Sequence, residues 1–201
     1  MTSEFEAVRV FVTDRLQHGI FVYDAAGNYL GRRGSNRDAT ERKRVEDTFR
    51  VISLSFSNLG GADSVVEYFS RHGKRAYEDS VYSNLGEHYL AKLRYDDAAK
   101  TYRAFVSLYP DHRDAPAFSM HVVETFTQGG FPKLVLEAKR DFAARYGLKS
   151  DYWLHFEPAD RPEVVADLKA NLKDVATHYH ALYQETEEAD EKGTPYREAL
   201  R

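Results

Sequence analysis

The chain has 201 residues, of which 42% are hydrophobic and 13% aromatic, so it is long enough to bury a hydrophobic core. Its formal net charge of -4 does not favour a nucleic-acid partner, and the absence of cysteine excludes a disulfide framework and a thiolate metal site. No stretch approaches the roughly 18 consecutive apolar residues of a membrane span, and the first ten residues lack the basic region and long apolar run of a signal peptide.

The first 37 residues contain two different patterns. Ser3 with Glu6 is a capping box, and the apolar residues that follow at helical spacing predict a helix from about Ser3 to Gln17. Residues 19–31 are the least helical part of the chain. Two apolar runs flank Gly27 there, which predicts a small β-hairpin, while a helix of a degraded repeat is the alternative. Both interpretations of residues 19–31 stay open.

A local basic cluster follows, diluted by Asp38 and Glu41. It consists of Arg32, Arg33, Arg37, Arg42, Lys43 and Arg44. A polyanion site is one interpretation, and a solvated loop with the first turn of a helix is the one that the interspersed acids favour. Asp38 and Glu41 form a second capping box, which predicts that the next helix begins there.

The clearest pattern in the chain runs from Tyr82 to Pro110. Apolar residues recur there at intervals of three and four, which predicts two amphipathic helices. Two small residues, Gly86 and Ala98, would let these helices approach closely. The positions that carry the pattern are Tyr82, Leu85, Gly86, Tyr89, Tyr95, Ala98, Tyr102, Phe105 and Pro110.

These spaced positions resemble the tetratricopeptide repeat, a hairpin of two helices. The resemblance implies an all-α fold, an α-α superhelix of antiparallel helix pairs, in which the residues named above pack the repeat. It also implies a scaffold that binds other proteins. The motif Y-x-D-A-A-x-x-Y-x-x-F-V-x-x-Y-P-D-H further resembles the repeats of bacterial cell-envelope and periplasmic proteins, over residues 79–146.

Weaker copies of the same pattern lie on both sides. A shift of 33 residues places Phe49 on Tyr82, and a looser shift of about 36 aligns the residues that follow Pro110. We therefore predict a single helical domain over residues 1–201. Its parts are a divergent N-terminal part (1–37), repeats at about 38–78, 79–112 and 113–147, a connector (148–160), and a long helix with a truncated repeat (161–201).

Two features mark the last third of the chain. Trp153 lies in the connector with Tyr152 and Phe156, a cluster that could be an exposed anchor but more often caps a core. Residues 193–199 repeat the signature that opens the second helix of a pair, and the chain stops shortly after. A solenoid normally closes with a full polar helix, so we predict a fragment of a longer repeat protein.

The resemblance implies that partners bind a concave groove lined by the first helix of each pair. The outward positions there are Asp47, Arg50, Ser80, Ser83, Glu87, Ser119 and Glu124. Solvated helix faces are the alternative interpretation. Because Ser83 and Glu87 stand where one subclass of the family has a carboxylate clamp of Lys and Asn, a C-terminal carboxylate is not the expected ligand. The groove acids Glu87 and Glu124 favour a basic or neutral polar segment.

The sequence predicts neither an enzyme nor a cofactor. The eight histidines include no pair at i and i+4 that could hold a metal on a helix. There is no G-x-S-x-G elbow, no Ser–His–Asp spacing and no glycine-rich phosphate loop. We therefore predict no catalytic residue, no metal and no cofactor.

The expected function is a non-enzymatic protein–protein interaction scaffold within a larger multi-repeat protein. Its expected partner is a protein or peptide, with no nucleic acid and no membrane span. The finer resemblance favours the bacterial periplasm or cell envelope over the cytoplasm. Two alternatives stay open: self-association through the truncated last repeat, and a regulatory region of an enzyme whose catalytic domain lies outside this chain.

Overall fold

Helices dominate the fold between residues 39 and 185. The computed structural model describes residues 10–14, 19–23, 29–34 and 39–185, with side chains from 43 to 184. The helices are α1 (Ala39–Leu59), α2 (Ala62–His72), α3 (Glu78–Leu90), α4 (Tyr95–Leu108), α5 (Ala115–Gln128), α6 (Pro132–Tyr146) and α7 (Pro162–Glu185). Two short 3-10 helices, Asp151–Leu154 and Pro158–Asp160, lie in the connector before α7. The predicted helical class is confirmed over residues 39–185.

A three-stranded antiparallel sheet precedes the helices. Its strands are β1 (Val10–Asp14), β2 (Gly19–Tyr23) and β3 (Tyr29–Gly34), in the order β1-β2-β3. Residues 19–31, which the sequence left open between hairpin and helix, hold β2 paired with the start of β3.

The predicted helix from Ser3 to Gln17 is wrong over Val10–Asp14, which forms β1. The physical reason is pairing with β2, which the residue types of β1 support. Residues 10–13 are Val, Phe, Val and Thr, all of which favour a strand, and β1 pairs with β2 along its whole length. The remaining residues of that predicted helix lie outside the described part of the chain.

The chain divides into two compact units, Met1–Ala104 and Phe105–Arg201, so the boundary falls inside α4. The prediction of one continuous superhelical domain stays a prediction. In the first unit α1 packs against α3, and α2 contacts both. In the second unit α6 packs between α5 and α7, and its Phe142 and Tyr146 join Tyr152, Val164 and Leu168 in one core cluster.

The central repeat packs as its residue types suggest. Tyr82, Leu85 and Gly86 are buried on α3, and Tyr102 is buried on α4. Only glycine fits at position 86, because a Cβ there would overlap the ring of Tyr102. Most of the other predicted packing residues are also buried, namely Tyr89, Ala98 and Phe105, whereas Tyr95 is half-buried and Pro110 is exposed.

The buried positions of the first helices repeat along the chain. In α3 they are 78, 81, 82, 85, 86 and 89. Adding 37 to each gives 115, 118, 119, 122, 123 and 126, all of which are buried in α5. Subtracting 33 from 78, 82 and 86 gives 45, 49 and 53, all buried in α1. This common register decides which side chains of α1, α3 and α5 remain on the surface.

Candidate interaction surfaces

Asp47 and Arg50 lie together on the exposed side of α1. The guanidinium of Arg50 donates to a carboxylate oxygen of Asp47 at 3.2 Å, and the side chains of Arg50 and Asp47 are 68% and 51% exposed. An exposed ion pair of this kind stabilises a helix only slightly. Both groups are therefore accessible to a partner, and the pair presents opposite charges side by side.

The predicted groove residues of α3 form a polar edge of that helix, which packs against α1. Glu87 is exposed and its carboxylate lies 3.5 Å from the hydroxyl of Ser83. Ser80 is half-buried, and its backbone N–H donates to Asp79 at 2.7 Å. We call the group Asp47, Arg50, Ser83 and Glu87 the α1–α3 surface; Ser83 is half-buried and the other three residues are exposed.

Ser119 is not a surface residue. It is only 9% exposed, and its hydroxyl lies 3.0 Å from the hydroxyl of Tyr146 on α6. The looser shift of about 36 aligned Ser119 with Ser83, whereas the burial register aligns it with Tyr82. A serine at this position leaves room for Tyr146, which is 1% exposed. Burial raises the pKa of Tyr146 to about 12, so this phenol stays neutral.

Glu124 is exposed on α5 and belongs to an acidic group that includes two residues of α7. A ring nitrogen of His121 lies 3.0 Å from its carboxylate. Asp167 of α7 has its pKa raised, first by burial and then by the negative charges of Glu124 and Glu163. We call Glu124, Glu163 and Asp167 the α5–α7 surface. Glu163 and Asp167 could not be predicted as surface neighbours of Glu124, because nothing in the sequence indicates that α7 packs close to α5.

Arg161 holds the beginning of α7 in place. Its side chain is 5% exposed, donates to Glu163 at 2.6 Å and donates to the backbone carbonyl of Arg113 at 2.7 Å. The hydrogen bond from Arg161 is the main reason that the pKa of Glu163 is lowered. Glu163 therefore stays charged while Asp167 is pushed towards its neutral form. On the α5–α7 surface Glu163 is therefore firmly ionised, and a cationic neighbour would stabilise the ionised form of Asp167.

The aromatic cluster of the connector caps the core. Tyr152 is 3% exposed, and its ring packs edge-on against Tyr146. The indole N–H of Trp153 donates to the backbone carbonyl of Tyr146 at 2.9 Å. Because the polar ends of these side chains are used within the protein, the cluster is packing rather than an exposed anchor.

An open cleft of about 670 Å³ lies beside this connector. Its lining includes Asp111, Arg145 and Asp151, and a ring nitrogen of His155 lies 3.6 Å from a carboxylate oxygen of Asp111. The cleft therefore presents both signs of charge.

The predicted basic cluster has described side chains only at Lys43 and Arg44, both of which are exposed.

Metal sites and membrane spans are two other classes of feature that a helical chain can carry. Within residues 43–184, no group of three or more His, Cys, Asp or Glu side chains is placed to hold a metal ion. None of the described helices combines the length and apolar character needed to cross a bilayer.

No model of a known protein family matches this chain, and no curated protein or solved structure matches it. The resemblance to the tetratricopeptide repeat therefore rests on the residues of the chain itself, chiefly those between Tyr82 and Pro110. It stays a prediction.

Proposed function

We propose that this chain is a non-enzymatic protein–protein interaction scaffold of the tetratricopeptide type, a segment of a larger multi-repeat protein. The repeated burial register of α1, α3 and α5 carries the proposal. Six equivalent positions are buried in α3 and α5, and in α1 three of them are buried and three half-buried, so the same side of each helix is left on the surface. Equivalent exposed positions in successive repeats are what a repeat protein uses to hold a partner segment.

The α5–α7 surface favours a basic or neutral polar segment. Three carboxylates belong to it. Burial and then repulsion from Glu124 and Glu163 raise the pKa of Asp167, and a cation beside Asp167 would offset that repulsion. The α1–α3 surface adds two carboxylates and one arginine, so it too carries more negative than positive charge. Charge of this kind contributes more to partner choice and association rate than to affinity.

The test compares the proteins that wild type and variants retain from an extract of the source organism. In Glu124→Lys the new cation would lie near Asp167 and Glu163, so the variant should fold while it repels a basic segment. Glu137→Lys is the matched control, because Glu137 is exposed on α6 outside the α5–α7 surface.

We expect a small set of proteins to be retained by wild type and by Glu137→Lys and to be lost from Glu124→Lys. Quantitative mass spectrometry of the retained proteins measures this. An identical set for all three forms would contradict the proposal.

The alternatives are separated by cheaper observations. Light scattering that gives a stable dimer at micromolar concentration favours self-association, and a catalytic domain in the full reading frame favours a regulatory region. The link to the bacterial cell envelope stays a prediction from the repeat motif.

A further inference from the structure

Met120 places a sulfur atom between α5 and α7. The chain has no cysteine and two methionines, Met1 and Met120, of which Met120 lies on α5. Its side chain is half-buried and packs against the core cluster that includes Phe142 and Leu168. Because part of this side chain is in contact with solvent, a molecule as small as hydrogen peroxide can reach it.

Asn171 of α7 donates a hydrogen bond to this sulfur. Its side-chain nitrogen lies 3.2 Å from Sδ of Met120, and Asn171 is only 2% exposed. A thioether is a weak acceptor, so the buried amide gains little from this bond. A stronger acceptor in the same place would compensate the amide better for its removal from water.

Oxidation of Met120 supplies such an acceptor. The sulfur donates a lone pair to one oxygen of hydrogen peroxide and the O–O bond breaks. The departing hydroxide takes the proton of the transferred OH, which gives the sulfoxide and water. Oxidation makes an apolar side chain polar and normally disrupts a core. At Met120 a donor already faces the sulfur, so the new oxygen has a partner close by.

The new oxygen requires a local rearrangement that reaches the α5–α7 surface. It does not fit into the 3.2 Å between Sδ and the amide nitrogen, which is already a full hydrogen-bond distance. The side chain of Met120 must therefore rotate, or α5 and α7 must separate. Glu124 follows Met120 by four residues and Asp167 precedes Asn171 by four, so each acid lies about one helical turn from the pair.

We propose that Met120 is a site of oxidation by peroxide and that its sulfoxide accepts a hydrogen bond from Asn171. The rearrangement changes the spacing of Glu124 and Asp167 and weakens the binding of a basic segment to the α5–α7 surface. The modification needs no partner. Its effect on binding rests on the proposed function, because it regulates that same surface.

The first test locates the modification. The full chain is treated with hydrogen peroxide, and mass spectrometry of its peptides identifies each added oxygen. We expect oxidation at Met120 in the folded protein, more slowly than in free methionine because the side chain is half-buried. Met120→Leu is the matched control, since leucine has a similar volume and no sulfur. An unmodified Met120 under conditions that fully oxidise free methionine would overturn the proposal.

Two measurements test the role of Asn171. The side-chain amide signals of Asn171 in the nitrogen-15-labelled chain should shift on oxidation, whereas those of the exposed Asn58 should not. Oxidation should also lower the urea midpoint more in Asn171→Leu than in wild type, because the sulfoxide then lacks its donor. Unchanged amide signals, or an equal loss in both forms, would contradict the assignment. If Asn171→Leu does not fold, the amide signals decide.

A flexible peptide of arginine, serine and glycine tests the effect on binding. Fluorescence anisotropy should show its affinity for wild type falling at least about threefold on oxidation, with no change for peroxide-treated Met120→Leu. If the untreated chain does not bind the peptide, the proposed function and its regulation fail together while the modification site remains. If the untreated chain binds and oxidation leaves the affinity unchanged, the regulation alone is wrong.

Discussion

Gly86 on α3 and Tyr102 on α4 occupy complementary space. A Cβ on Gly86 would lie 2.7 Å from the hydroxyl oxygen of Tyr102 and closer still to two of its ring carbons. Tyr102 is 2% exposed, so its ring has little room to move. The glycine therefore sets the distance between the two helices of the central repeat.

We predict that Gly86→Ala destabilises the chain by about 1–3 kcal/mol, the range for one added carbon in a packed core. The cost should exceed the gain in helix propensity that alanine brings. Urea unfolding measures the free energy. Gly86→Ala/Tyr102→Leu is the control, because the smaller side chain makes room, so its loss should be less than the sum of the two single losses. Additive losses would show that the contact does not limit the packing.

The hydroxyl pair Ser119–Tyr146 predicts a coupled effect on stability. Ser119→Ala leaves the buried phenol of Tyr146 without this partner and should cost about 1–3 kcal/mol. Tyr146→Phe removes the polar group altogether and should cost less. The double variant should be more stable than the sum of the single losses predicts, by about 0.5 kcal/mol or more. Ser119→Ala with wild-type stability would mean that the buried hydroxyl of Tyr146 gains nothing from its partner.

Leu93 predicts a stabilising substitution. It lies in the turn between α3 and α4 with φ of 58°, and it is 71% exposed. A leucine in the left-handed region is strained and here loses little apolar burial. Leu93→Gly should therefore raise the free energy of unfolding by about 0.5–1 kcal/mol.

The control for this prediction is Leu148→Gly. Leu148 is 61% exposed, and among the described residues other than glycine only Leu93 has positive φ. Glycine at Leu148 should therefore lower stability through its larger unfolded-state entropy. If both variants lose stability, the turn at Leu93 is not strained.

Replacing Asp167 should change the stability of the chain by an amount that depends on pH. Burial and the charges of Glu124 and Glu163 raise the pKa of Asp167 above its ordinary value of 3.8. The folded chain then holds this proton more tightly than the unfolded chain, so the carboxylate lowers stability as the pH rises through the window between 3.8 and the raised value. Asp167→Asn should stabilise the chain at pH 7 and make little difference at a pH well below that window.

Urea unfolding of wild type and Asp167→Asn at pH 7 and at about pH 3 measures this. Glu124→Gln should act in the same direction, since it removes one of the repelling charges. A loss of stability at pH 7 in Asp167→Asn would mean that the carboxylate makes a favourable contact outweighing the repulsion.

Much of the helical fold could be predicted because local residue types mark where its helices begin and end. Gly60 and Gly61 lie between α1 and α2, both with positive φ, and Pro132 stands at the beginning of α6. These residues act through backbone geometry that needs no tertiary contact. The spacing of tyrosines and small residues in α3 and α4 likewise indicates which face of each helix is buried.

Other features depend on contacts that the sequence does not display. Strand β1 forms because it pairs with β2, although its apolar spacing also fits a helix. The sequence alignment of Ser119 is wrong by one position, since the connection at residues 109–114 sets the register of α5 and no motif marks its length. The bond from Arg161 to the carbonyl of Arg113 joins residues far apart in the chain.

The central claim is that the α5–α7 surface binds a basic protein segment, and peptide titration followed by amide chemical shifts tests it most directly. The nitrogen-15-labelled chain is titrated with a flexible peptide of arginine, serine and glycine, and then with its glutamate counterpart. We predict shifts concentrated at Glu124, Glu163 and Asp167, with the arginine peptide only, that are lost in Glu124→Lys. Shifts that are absent, that are the same with both peptides, or that persist in Glu124→Lys would contradict the claim.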